Sequence, residues 1–92
     1  MRKAKLIQTC EGCPSQWEGY TEDNEPVYIR FRYGYLSISI GKVNQNIEEI
    51  YGDESFGWQI GGEFDGFLSF EKLKQKLKGR LDVEEINAES FP

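Results

Sequence analysis

The stretch Val27-Tyr28-Ile29-Arg30-Phe31-Arg32-Tyr33-Gly34-Tyr35-Leu36-Ser37-Ile38-Ser39-Ile40 decides how this chain folds. Its apolar residues occupy odd positions at 27, 29 and 31, then even positions at 36, 38 and 40. Successive side chains of a strand point to opposite faces, so one face keeps one parity. The change of parity therefore requires a reversal or a bulge. A two-residue turn at Tyr33-Gly34 provides the reversal, with Gly34 supplying the positive φ of a tight hairpin, although Tyr is not the preferred first turn residue. A Gly bulge in one long strand is the alternative. The hairpin pairs Phe31 with Leu36, Ile29 with Ile38 and Val27 with Ile40 on one face. On the other face it pairs Arg32 with Tyr35, Arg30 with Ser37 and Tyr28 with Ser39.

Upstream, residues 16–21 read as a strand and Glu22-Asp23-Asn24-Glu25-Pro26 as a five-residue loop. That loop sets Trp17 opposite Phe31, Gly19 opposite Ile29, and Glu18 opposite Arg30 as a cross-strand charge pair. Residues 3–9 add a weakly alternating strand. Downstream, Ile47-Glu48-Glu49-Ile50-Tyr51 fits a helical turn or a strand, and Phe56, Trp58 and Ile60 alternate as a strand that Gly61-Gly62 ends. Ser69 is a good N-cap for an amphipathic helix of about ten residues, with Phe70, Leu73 and Leu77 on one stripe and Gly79 past its end. Leu81, Val83 and Ile86 fit a strand or a second short helix. The expected fold is α+β: an antiparallel β-meander of four to five strands, able to curl into a half-barrel, with one C-terminal amphipathic helix packed on it. One domain over residues 1–86 is expected, with residues 87–92 frayed.

Composition narrows the function classes. The chain has 92 residues, 11 Lys plus Arg, 16 Asp plus Glu and no His, for a net charge of −5. About a quarter of it is Leu, Ile, Val or Phe, enough for a modest folded core. Without His, Ser-His-Asp and Cys-His catalysis and imidazole switching drop out. The acidic balance argues against general nucleic-acid binding, which needs a basic footprint. The basic start Met1-Arg2-Lys3-Ala4-Lys5 lacks the apolar stretch of a signal peptide, and no run is long enough to span a membrane, so a cytoplasmic location is expected. Charge is uneven: residues 1–46 hold six basic and five acidic groups, residues 47–92 five basic and eleven acidic. Such a bias is a solvated face or an acidic docking surface.

Two motifs lose force on inspection. Cys10-Glu11-Gly12-Cys13 has the spacing of zinc knuckles and thiol oxidoreductases. Two thiolates make half of a tetrahedral zinc site, so metal would need carboxylates or a dimer contributing two pairs. A low-pKa redox thiol wants a helix N-terminus, whereas Pro14 and a strand follow here. Structural thiols, zinc across a dimer and a regulatory disulfide all stay open. Asp65-Gly66-Phe67-Leu68-Ser69-Phe70-Glu71 resembles the end of an EF-hand loop, yet its register puts Gly61 at position one and Lys72 at position twelve, where carboxylates are required. No cofactor motif is present, and no residue is nominated as a general acid or base.

The hairpin's second face is what remains. Tyr28, Arg30, Arg32 and Tyr35 lie together on it, and Tyr and Arg are the residue types that dominate interface energetics. The plainer alternative is that a helix or second layer covers this face and the arginines reach around it to water. The expectation is a small non-enzymatic protein-interaction or regulatory module that binds a protein partner through these four residues. The alternative is a metal- or redox-responsive protein using Cys10 and Cys13.

Overall fold

The computed structural model describes residues 2–12, 14–63 and 65–86. The hairpin forms in the expected register. Strand β3 (Pro26–Arg32) pairs with β4 (Tyr35–Ile40) through Val27↔Ile40, Ile29↔Ile38 and Phe31↔Leu36, with Arg30↔Ser37 and Arg32↔Tyr35 on the other side. Both turn residues take positive φ, Tyr33 at 55° and Gly34 at 75°. That is costly for a bulky residue such as Tyr33. The loop after the next strand holds the tip: Gly34 N–H donates to Asp65 O at 2.8 Å, and Gly34 O accepts from Ile60 and Gly61.

Six strands form one sheet in the order β5-β4-β3-β2-β1-β6, with β1 at Lys3–Glu11, β2 at Ser15–Thr21, β5 at Phe56–Gln59 and β6 at Asp82–Glu85. The meander of four to five strands is therefore corrected. β1 to β5 make an antiparallel sheet, and β6 adds a sixth strand parallel to β1, through Ala4↔Val83 and Leu6↔Glu85. The sheet stays open, with β5 and β6 as its two edges. A parallel neighbour needs a long crossover, and the segment between β5 and β6 supplies it by running under the sheet from one edge to the other. The β2–β3 register also differs from expectation. Trp17 faces Ile29, Gly19 faces Val27 and Gln16 faces Arg30. The turn is tighter than five residues: Asn24 takes a φ of 63° and Pro26 belongs to β3, paired with Tyr20. A shift of two residues keeps every side chain on its face but removes the Glu18–Arg30 pair.

Helix α1 (Phe70–Lys76) is shorter than the ten residues expected. Ser69 caps it, its hydroxyl accepting from Lys72 N–H at 3.2 Å, and Gly79 has a φ of 85° in the turn beyond. Leu73 and Leu77 are fully buried against Leu6, Trp17, Ile29 and Leu36 of the sheet. A seven-residue helix spans about 10 Å, whereas six strands span about 24 Å. Cover is therefore incomplete toward β5, where Phe56, Trp58, Ile60 and Phe70 stay half-buried. Residues 47–51, read as a turn or a strand, form a 3₁₀ helix, η1 (Ile47–Ile50), with Asn46 as its cap. No helix among the described residues is long and apolar enough to cross a membrane. The expected fraying of residues 87–92 lies outside the described residues.

Candidate functional site

Alternation along β3, β4 and β5 sends Arg30 and Arg32, then Tyr35 and Ser37, then Gln59 to the face opposite α1. These residues and Tyr33 line an open cavity of about 480 Å³, with Glu54 at its rim. Tyr33 is 60% and Tyr35 37% exposed. Arg32 curls over the Tyr33 ring, its guanidinium 4.7 Å from the centroid, and donates to the Tyr33 hydroxyl at 2.9 Å. This contact and the bond from Gln59 Nε2 to Tyr33 O (2.8 Å) restrain the strained turn residue. The Tyr35 hydroxyl donates to Glu54 at 3.1 Å, a bond that raises its pKa.

Arg30 is half-buried, and its Nε lies out of reach of solvent without a hydrogen-bond partner. The ion pair formed among the described residues is Arg2–Glu25 at 3.7 Å, which involves neither arginine of this face. Arg30 and Arg32 therefore carry unneutralised charge in a chain of net −5.

Of the four residues expected to act together, three do line the cavity and Tyr28 does not. Tyr28 is 9% exposed, because Tyr51, just past η1, packs its ring 4.8 Å away at 54°. Burial raises the Tyr28 pKa against the opposing pull of Arg30. The sequence reading missed Tyr33, Ser37, Gln59 and Glu54. Ser37 and Gln59 were available from strand parity, since Ser37 shares the phase of Tyr35 and Gln59 opposes that of Trp58. In the sequence Tyr33 carries only the signal of a turn residue, and Glu54 carries no local signal.

The Tyr51 hydroxyl donates to Glu18 at 2.7 Å and fastens η1 over the other end of this face. That bond, reinforced by burial and by the charges of Glu18 and Glu48, pushes the Tyr51 pKa up to about 12 from its ordinary 10.0. A phenol whose folded pKa is raised contributes stability that is complete below its unfolded pKa and is lost as pH climbs through the folded one. Ultraviolet titration should show one phenol ionising near 12, its midpoint moving toward 10 in Glu18→Gln. The stability lost between those two pH values should shrink in Tyr51→Phe. An unmoved midpoint in Glu18→Gln would contradict the fastening.

Cys10 lies on β1 beside Gln16, past a bulge between Gln8 and Cys10. Its thiol sits 3.6 Å from Gly12 O. Cys13 lies outside the described residues. β2 opens at Ser15, so the chain enters a strand and no helix N-terminus follows the CxxC. Among the described residues, no group of three or more Cys, Asp or Glu side chains converges to hold a metal ion.

Comparison of the chain with protein-family models, curated proteins and solved structures returned no match.

Proposed function

We propose that this chain is a small non-enzymatic interaction module that binds a protein partner through the Arg–Tyr face of its hairpin. The observation that carries the reading is the pair Arg30 and Arg32, both lining one open cavity and neither within 4.0 Å of a carboxylate among the described residues. Guanidiniums that face an open cavity without a carboxylate are ready to take a partner's carboxylate through charge-assisted hydrogen bonds. The exposed rings of Tyr33 and Tyr35 add contact area at low side-chain entropy cost. Tyr28 supports the site from beneath Tyr51 and is not part of the contact surface.

The double variant Arg30→Glu/Arg32→Glu tests this. Each reversal in an interface hot spot costs about 2 kcal/mol or more, roughly thirtyfold in affinity. Partner capture from the native cell should therefore disappear. The variant should keep a cooperative unfolding transition, its midpoint lowered only by the loss of the Arg32–Tyr33 contact, because neither side chain belongs to the apolar core. An unchanged set of captured partners would remove the proposal.

A further inference from the structure

We infer that the free edge of β5 is a strand-addition site for an extended, acidic segment of a partner protein. The inference shares only Gln59 with the Arg30–Arg32 cavity, and uses that residue's backbone where the cavity is lined by its side chain, so either reading can fail alone.

The ladder phase shows which backbone groups are available. Ile60 N–H donates to Gly34 O at 2.8 Å, in line with the register Leu36↔Trp58 and Ile38↔Phe56. Antiparallel pairs alternate between residues that exchange both hydrogen bonds and residues that exchange none. Phe56 and Trp58 therefore turn their backbone groups toward β4, while Gly57 and Gln59 turn theirs outward, past the last strand of the sheet.

The two edges are treated differently. β6 reads Asp82-Val83-Glu84-Glu85, three carboxylates in four residues, a charge pattern that discourages pairing. β5 reads Phe56-Gly57-Trp58-Gln59, with no charge, no Lys and no Pro. Its aromatic side chains also stay half-buried, because α1 is too short to cover them.

Charge selects the occupant. On the core face of this edge, Phe56 and Trp58 form a two-ring shelf, centroids 6.2 Å apart and planes within 14°. The exposed Arg80 guanidinium lies over it, 4.8 Å from the Trp58 ring and 5.7 Å from Phe56, with no carboxylate within 4.0 Å among the described residues. An incoming antiparallel strand puts alternate side chains beside this shelf, where glutamates meet Arg80 and lay their methylenes against the rings. The intervening residues oppose Gly57 and Gln59 and exchange backbone hydrogen bonds with them. A second copy of this chain fits less well, since its own β5 brings no acid and sets Arg80 beside Arg80.

The probe is a blocked peptide of alternating valine and glutamate, about nine residues long, added to the full chain labelled for amide NMR. Hydrogen exchange at Gly57 and Gln59 should slow by about tenfold or more at saturation, with Trp58 already protected in the free protein. Replacing every glutamate by lysine should abolish the effect. N-methylation at the valines should abolish it too, whereas N-methylation at the glutamates should not. Arg80→Gln, at an exposed position, should weaken binding by about tenfold. Unchanged exchange at Gly57 and Gln59 in millimolar peptide would overturn the inference, as would equal binding of the lysine peptide. Protection that grows with protein concentration in the absence of peptide would assign the edge to a second copy instead.

Discussion

Gly19→Ala is expected to abolish cooperative folding, although it adds one methyl group. An added Cβ at this position would collide with the Lys5 carbonyl oxygen and lie 2.8 Å from its carbon and 2.9 Å from Leu6 Cα. All three atoms are backbone of β1, directly opposite Gly19 in the β1–β2 ladder. A side chain yields by changing rotamer, whereas a paired strand yields only by breaking its ladder. Relief would pull β1 away from β2, and with it β6, whose strand neighbour is β1. Leu6, Ala4 and Val83 would then leave the core together. A domain of this size has a total stability of roughly 5–14 kcal/mol, and losing two strands of six exceeds that margin. The expected result is no sigmoidal thermal transition and no fixed near-ultraviolet dichroism in the variant. A midpoint within a few degrees of the parent would show that β1 does not approach Gly19 this closely.

This position also marks where the sequence was readable and where it was not. Strand parity within residues 27–40 is a local signal, and it specified the β3–β4 register residue by residue. Gly19 could be placed on the apolar face by the same rule. Its β3 partner, Val27, could not, because that register depends on the turn before Pro26, and the left-handed Asn24 shortens that turn. The parallel β6 was harder still. Leu81, Val83 and Ile86 alternate weakly, and a parallel pairing is decided by a crossover that no local pattern encodes. The candidate site divides along the same line. Arg30, Arg32 and Tyr35 lie within one hairpin and were legible together. The cover over Tyr28 and the position of Glu54 depend on the excursion over residues 41–55, which returns to the sheet through long-range contacts such as Ser55 N–H to Ile38 O.

Trp17→Ala is expected to produce the largest loss among side-chain truncations, about 3–5 kcal/mol. Trp17 is fully buried and is the largest of the wholly enclosed side chains, on the core face of β2. A domain of this size loses about 4–8 °C per kcal/mol, so the unfolding midpoint should fall by roughly 12–40 °C. Part of that loss is polar and separable. The Trp17 Nε1–H donates to Glu85 on β6 at 3.0 Å, a bond that passes across β1. Trp17→Phe keeps most of the apolar bulk and removes the donor, and should cost less than the alanine variant. Glu85→Ala keeps the ring but removes the acceptor of a part-buried hydrogen bond to a charged group, at about 1–2 kcal/mol. It should also loosen β6 selectively. The amides of Asp82 and Ile86, which bond Arg2 O and Leu6 O, should exchange faster while those of β3 and β4 do not. Uniform acceleration across the sheet would mean that β6 is not a separable edge held by Trp17. Selective loosening would give one acid of the second half, Glu85, an internal structural role. Its carboxylate ties this edge strand to the largest wholly enclosed side chain of the core.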